Sequence, residues 1–300
     1  NDMKKLFTML FCAAIVLVHL LPVSAADSLD DGLIIHYTFD EGSGTSIKDS
    51  KGGNDLTLDN ASRRVKGCIG SGAISFDGTD AQVLQTNMGI NANLRKINTK
   101  GAFSISLWAK FDKDGTTDNT LVGWGATTDY TRIFVQTGSS NLGVQTKTGY
   151  PYAWNYSEDK WGTNAKNLLA SEKWHNIIIT YDSNVKQVGI YIDGIFYEGT
   201  AAPDAKWADS KFEIEPMTDW FTLGSMHDRT SANFKGEMDD VRVYDRVLSA
   251  NDIDAIQSLP KHSGGNQNPP SPPTSDNKLI MLSVCVIAVT ALPVIRKRRI

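Results

Sequence analysis

Aromatic side chains are concentrated in one short, proline-containing stretch of the chain. Tyr152, Trp154, Tyr156 and Trp161 lie within ten residues, with acidic residues between the last two. Sugar rings present apolar C–H faces that stack on such rings, while neighbouring polar groups bind the hydroxyls. The stretch therefore indicates a glycan-binding loop. The alternative is a loop whose aromatics pack on the edge of the domain as a small satellite core.

The other reactive side chains do not form a familiar catalytic motif. The chain contains no Gly-x-Ser-x-Gly element, zinc-type histidine pair or phosphate-binding loop. Its three cysteines are Cys12, Cys68 and Cys285, and the outer two lie in apolar terminal segments. Cys68 is therefore predicted to be a small buried side chain without a disulfide partner.

The charge of the chain argues against polyanionic ligands. The formal net charge is −4, and leaving out residues 1–26 and 275–300 removes seven basic and two acidic residues, which gives −9 for the body. A body of this charge disfavours binding to nucleic acid or to anionic lipid.

The first 26 residues have the pattern of a secretory signal peptide. Lys4 and Lys5 precede an apolar stretch from Leu6 to Leu21, and small residues follow up to Ala26. The segment predicts export of the body, either after cleavage or with the segment retained as an anchor.

The C-terminal region predicts attachment to the cell surface. Residues 260–277 are rich in proline and polar residues, which indicates an extended linker, and residues 278–300 form an apolar run with a basic tail. Pro272 and Thr274, just before this run, resemble the Pro-x-Thr core of a Gram-positive cell-wall sorting signal. That resemblance implies that a sortase joins the chain to peptidoglycan. A single-pass membrane anchor is the alternative.

Residues 27–259 are predicted to form one all-β domain. Phe103–Leu107 alternates apolar and polar residues, and Trp174–Tyr181 is a β-branched run too short for a typical helix. Asp193-Gly194 between two apolar runs predicts a hairpin. Ser249 with Asp252 predicts the start of one short helix. These signals favour an antiparallel two-sheet jelly-roll sandwich.

A series of short motifs makes the domain recognisable. They are His36–Glu41, Asp49–Asn54, Gly72–Gly78, Phe103–Trp108, Trp174–Asn176, Tyr191–Gly194, Phe221–Gly224 and Phe234–Tyr244. In order and spacing they resemble the laminin-G-like, concanavalin A-like jelly-roll domain of bacterial extracellular proteins, over about residues 31–258. The resemblance implies a sandwich of two antiparallel sheets, with Trp108 and Trp174 buried in or beside the core.

The same resemblance implies one structural Ca²⁺ between the N-terminal turn and the last core strand. The predicted ligands are Asp49 and Asp239, followed by Asn54 and Asp240. Calcium takes six to eight oxygen ligands, of which an acidic, glycine-rich turn supplies several. An ordinary Asx turn with a solvated acidic pair is the alternative.

The fold hosts lectin modules, hydrolases and inert spacers, so function depends on the site. Laminarinase-type hydrolases of this fold carry Glu-x-Asp-x-Glu on one strand, which places three carboxylates on one face. Glu213–Glu215 lacks the rest of this pattern, and Glu237–Asp240 lacks its final Glu. We therefore predict a non-catalytic surface module of a Gram-positive bacterium that binds a glycan or glycoprotein. A structural or protein-binding spacer is the main alternative, and a glycoside hydrolase is a lesser one.

Overall fold

A computed structural model of the protein shows strands in two large antiparallel sheets and one short pair. It describes residues 29–79, 84–87, 97, 101–112, 118–125, 130–136, 141–145, 152–153, 172–197, 220–226 and 232–262. The chain divides into a compact unit, Asn1–Gly264, and a second unit, Gly265–Ile300, which lies outside these residues. The predicted signal peptide and sorting residues Pro272 and Thr274 also lie outside them.

Sixteen strands and one α-helix of eight residues are present in the described part of the chain. The strands are β1 Leu33–Tyr37, β2 Ser46–Ile47, β3 Leu56–Thr57, β4 Arg64–Lys66, β5 Gly72–Asp77, β6 Leu84–Asn87, β7 Ala102–Phe111, β8 Asp118–Gly125, β9 Tyr130–Gln136, β10 Asn141–Gln145, β11 Tyr152–Ala153, β12 Trp174–Asp182, β13 Gln187–Ile192, β14 Ile195–Tyr197, β15 Trp220–Leu223 and β16 Lys235–Tyr244. Helix α1 is Ala250–Gln257, and a 3₁₀ turn covers Ala61–Arg63.

The first sheet has the strand order β14-β13-β12-β7-β16-β5-β4, and β1 also pairs with β16. The second sheet has the order β11-β10-β9-β8-β15-β6, and β2 pairs with β3. Every pairing between the named strands is antiparallel. The long strand β16 lies between β7 and β5, so the motif Phe234–Tyr244 runs through the middle of the first sheet.

The main core lies between the two large sheets. Every second side chain along a strand points to the same face of its sheet, and the apolar faces of the two sheets pack against each other. In β7, Phe103, Ile105 and Leu107 belong to this core together with Val122 and Trp124 of β8. The Phe103 and Trp124 rings meet edge-on with centroids 5.6 Å apart, which joins the two sheets directly.

The opposite face of the first sheet is partly covered by helix α1. Ser249 caps the helix in a reciprocal capping box with Asp252. Ile253 and Ile256 then pack against Ile178 of β12 in a second apolar cluster. The sequence pattern predicted this helix start, and the structure confirms it.

The predicted fold is confirmed: the chain is mainly β, with antiparallel sheets and one short helix. The hairpin at Asp193-Gly194 is also present, and both residues adopt positive φ, 51° and 79°, as such a tight turn requires. Within the described ranges, no helix is long and apolar enough to cross a membrane.

Candidate functional site

The N-terminal turn is organised around the buried carboxylate of Asp49. Its Oδ1 accepts hydrogen bonds from the backbone N–H groups of His36 and Lys51, each at 3.0 Å. Its Oδ2 accepts one from the Asn54 side-chain amide at 2.7 Å. The Tyr37 hydroxyl donates to the Asn54 carbonyl at 2.7 Å. Asp49 and Asn54, two of the four predicted calcium ligands, therefore contact each other through the side-chain N–H of Asn54.

The buried carboxylate of Asp240 is compensated by two basic side chains. Arg242 donates to it from Nε at 3.0 Å and Nη2 at 3.1 Å, and His36 Nε2 lies 2.7 Å from its Oδ1. Burial alone would raise the pKa of Asp240, but the His36 hydrogen bond and the Arg242 charge outweigh it and lower the pKa. Asp240 therefore stays ionised inside the protein.

Asp239 points to a different part of the molecule. Its Oδ2 accepts hydrogen bonds from the backbone N–H groups of Cys68 and Ile69, at 2.7 and 2.8 Å. A Cβ added at Gly67 would lie 2.8 Å from the same oxygen, so glycine allows this close approach. Burial is the main reason that the pKa of Asp239 rises to about 7, and the charge of Asp240 adds to the rise.

The four predicted calcium ligands do not converge in this arrangement. Asp49 contacts Asn54, His36 links this turn to Asp240, and Asp239 is turned towards Cys68–Ile69. Among the described residues, no group of three or more His, Cys, Asp or Glu side chains is placed to hold a metal ion. Asp49 and Asp240 already accept N–H bonds where calcium would need free oxygens. The calcium site stays a prediction.

The predicted sugar-binding stretch begins at the edge of the second sheet. Tyr152 lies in β11, the terminal strand of that sheet, opposite Gly143 of β10. Trp154, Tyr156 and Trp161 lie outside the described residues. The structure therefore places the start of the stretch without testing its ligand.

Strand β16 carries three acidic residues, Glu237, Asp239 and Asp240, that were compared with a hydrolase pattern. Glu237 Oε1 pairs with Lys110 Nζ at 2.8 Å, and Asp239 is fully buried. A register shift lies between Asp239 and Arg242, and Val241 belongs to the main core. The next carboxylate, Asp240, is bonded to His36 and Arg242.

Several partners of these acidic residues were missed by sequence reasoning. His36 and Arg242 lie inside recognised motifs, but the sequence does not show that both reach Asp240. Lys261 was assigned to the linker, yet its ammonium lies 4.6 Å from the centre of the Trp108 ring. Trp108 is buried as predicted, on the face away from the main core. Trp174, also predicted to be buried, is only half-buried, because it is the first residue of β12 and its ring lies under the Lys110 ammonium. The signal in the sequence that could have indicated these contacts is the presence of basic residues beside the aromatic and acidic motifs.

Two facing antiparallel sheets with a long central β16 define a concanavalin A-like jelly-roll protein. Residues 79–254 match the family model Laminin_G_3, the Concanavalin A-like lectin/glucanases superfamily, and the chain belongs to this family because the match covers more than half of it. No curated protein matches the chain.

Solved structures are similar to this chain at low sequence identity. The binding domain of botulinum neurotoxin DC in complex with SialylT is 16% identical, with a TM-score of 0.54, over 77% of this chain and 52% of that one. The Trypanosoma rangeli sialidase in complex with 2,3-difluorosialic acid is 12% identical, with a TM-score of 0.50, over 75% and 33%. Domain 4 of a Geobacillus stearothermophilus arabinanase, in complex with arabinotriose, is 20% identical, with a TM-score of 0.48, over 74% and 97%. The match thus spans about half of the neurotoxin domain and a third of the sialidase.

Proposed function

We propose that the chain is a non-catalytic carbohydrate-binding module that acts outside the cytoplasm. The observation that carries the proposal is membership of a lectin and glucanase family. The neurotoxin binding domain with SialylT and a Trypanosoma rangeli sialidase with sialic acid give two examples of sugar recognition in proteins that contain this fold. The proposed ligand is a glycan or the glycan of a glycoprotein.

The proposed binding residues are the aromatic side chains Tyr152, Trp154, Tyr156 and Trp161. Strand β11 begins this stretch at one end of the second sheet. The sequence predicts a loop after this edge strand, and binding residues are often found on loops, because loops vary in sequence while the sheets keep the fold. Stacking on two or more of these rings would bind a sugar without any reactive side chain.

The surroundings of β16 support a binding role rather than hydrolysis. A retaining glycosidase needs two carboxyl groups about 5 Å apart, one of them accessible as a nucleophile. Here Glu237 is paired with Lys110, and Asp239 is buried and bonded to the Cys68 and Ile69 amides. Neither group is arranged to attack a bound sugar.

Display at the cell surface belongs to the same proposal. Residues 1–26 would direct export, and Pro272 and Thr274 would direct a sortase to join the chain to peptidoglycan of a Gram-positive wall. A single-pass membrane anchor at residues 278–300 would give the same exposure of the domain.

A protein-binding or spacer module is the second candidate, and one surface feature favours it. Ile195 and Phe196 are 42% and 44% exposed and lie on β14, the terminal strand of the first sheet. Exposed apolar side chains on an edge strand are a common basis for protein contacts.

A glycan array probed with the whole chain distinguishes the two candidates. The carbohydrate proposal expects selective binding to a small group of related glycans, and Trp154→Ala should remove that binding. Phe196→Ala serves as the matched control and should leave it unchanged. An array without any bound glycan would favour the protein-binding module.

A further inference from the structure

Two neighbouring side chains on the outer face of the first sheet each carry an unpaired polar atom. Trp108 and Asp239 are directly opposite on β7 and β16. They are 2% and 0% exposed, and within the described structure Trp108 Nε1 and Asp239 Oδ1 have no hydrogen-bond partner. Directly paired residues of antiparallel strands share a face, with Cβ atoms about 5 Å apart. The pair thus combines one unused donor with one unused acceptor.

Unpaired buried polar groups are unusual, because each loses its hydrogen bonds to water without replacement. The other oxygen of Asp239 accepts two backbone hydrogen bonds, so the carboxylate is held firmly in place. Binding sites for hydroxylated rings, such as sugars, combine an apolar ring face with a fixed hydrogen-bond donor and acceptor. Trp108 and Asp239 supply these three groups.

The segment Leu259–His262, called the strap here, lies against Trp108 and against Cys68–Ile69, whose amides bind Asp239. Lys261 forms a single antiparallel bridge with Ile69, and the His262 N–H donates to the Cys68 carbonyl at 2.9 Å. Lys261 Nζ lies 4.6 Å from the centre of the Trp108 ring, which is within the range of a cation–π contact. The Lys261 side chain of the strap therefore occupies one face of the Trp108 ring.

We propose that Trp108 and Asp239 form a covered binding site for a hydroxylated ring, the chemistry of a sugar, and that the strap is its removable cover. When the strap moves away, the ring of the ligand takes the place of the Lys261 ammonium on Trp108. A ligand hydroxyl then donates to Asp239 Oδ1, and a ligand oxygen that extends past the edge of the indole accepts from Trp108 Nε1, whose N–H lies in the ring plane. This inference rests on the proposed carbohydrate-binding function, but assigns it a second site, away from the aromatic stretch at β11.

The strap also sets how strongly such a site can bind. The apparent dissociation constant equals the intrinsic one divided by the fraction of molecules with the strap open. A variant that opens the strap in a larger fraction of molecules should therefore bind more tightly in direct proportion, up to the point where the strap is fully open.

The test compares full-chain Lys261→Ala with full-chain Lys261→Arg. Arginine retains a cation over the indole ring and is the matched control. Hydrogen exchange at the His262 amide measures opening of the strap, and titrations with sialic acid, arabinotriose and any glycan found on an array measure affinity. Lys261→Ala should speed exchange and tighten binding at least threefold, whereas Lys261→Arg should change neither. Adding Trp108→Phe to Lys261→Ala keeps an aromatic ring, removes the N–H, and should cancel the gain in affinity while exchange stays fast.

The outcomes separate this inference from the proposed function. If the parent chain binds a glycan and Lys261→Ala leaves that affinity unchanged, the covered site is wrong and carbohydrate binding stands. Unchanged exchange at His262 in Lys261→Ala also overturns the covered site. If neither the parent nor Lys261→Ala binds any glycan, both proposals fail. Binding by Lys261→Ala alone would support the covered site, because the strap would then be the barrier, and would contradict glycan binding at the aromatic stretch.

Discussion

The buried contact between Arg242 and Asp240 should contribute strongly to stability, and Arg242→Met tests this. Arg242 is 8% exposed and Asp240 is 2% exposed, with donor–acceptor distances of 3.0 and 3.1 Å. Removal of one partner leaves a buried charge uncompensated, which typically costs about 3–5 kcal/mol. Because His36 stays 2.7 Å from Asp240, we expect the lower end, about 3 kcal/mol. For a domain of this size that corresponds to a fall of roughly 6–12 °C in melting temperature.

Urea unfolding of the full chain at pH 7 measures the change. Lys48→Met is the control, since Lys48 is paired with Asp55 at 2.5 Å but its side chain is 65% exposed, and such surface pairs contribute about 0–1 kcal/mol. The double variant Asp240→Asn with Arg242→Met should recover part of the lost stability, because it leaves no buried charge without a partner. Asparagine also tolerates the positive φ of 47° at this position. A loss for Arg242→Met no larger than that for Lys48→Met would refute the reasoning.

Three further predictions concern Asp239, calcium and the C-terminal segment. The folded-state pKa of Asp239, about 7, lies above its ordinary value of 3.8, so this group should lower the free energy of unfolding as pH rises from about 4 to 7. By linkage the loss is at most about 4 kcal/mol. In EDTA, the urea midpoint of Asp239→Asn should therefore change less between pH 5 and pH 8 than the midpoint of the parent. An equal change of the midpoint with pH in both proteins would contradict this. If a structural Ca²⁺ is bound, EDTA should lower the melting midpoint by several degrees, and Asp49→Ala or Asp239→Ala should abolish the difference. An unchanged midpoint of the parent in EDTA would end the calcium prediction. In a Gram-positive host, muralytic enzymes should release the protein, whereas hot detergent should not. Thr274→Ala should make the protein extractable by detergent. Full extraction of the parent by detergent would contradict the sorting signal and favour a membrane anchor.

Local features of the fold could be predicted because their causes lie within a few residues. The Ser249 cap bonds to the backbone three residues later, and Asp193-Gly194 supplies positive φ within one turn. The alternation in β7 likewise showed which side chains face the core. Each of these signals needs no knowledge of distant segments.

The arrangement of the acidic residues could not be predicted, because it depends on contacts between distant segments. Asp239 and Asp240 are adjacent in sequence and were expected to act together. The register shift in β16 and the positive φ of Asp240 turn them apart, towards Cys68 and His36 respectively. These partners are 171 and 204 residues away in sequence, and no periodic pattern reports such a pairing.

The burial of Trp108 was predicted correctly, but its surroundings were not. An aromatic residue in an apolar strand indicates a buried ring in almost any sandwich. The covering residue, Lys261, lies in a polar, proline-rich stretch whose composition favours an extended linker. The bridge to Ile69 keeps the chain attached to the domain beyond Pro260, which composition alone does not reveal.

The central claim, that this domain binds carbohydrate through its aromatic stretch, is tested most directly by measuring melting temperature and glycan affinity on the same variants. We predict that Trp154→Ala and Trp161→Ala weaken binding to the array-selected glycan at least tenfold, while their melting temperatures stay close to that of the parent. Rings that only pack as a satellite core should instead cost about 3 kcal/mol or more when truncated. A large fall in melting temperature, with no glycan bound by the parent chain, would contradict the account and favour the protein-binding spacer.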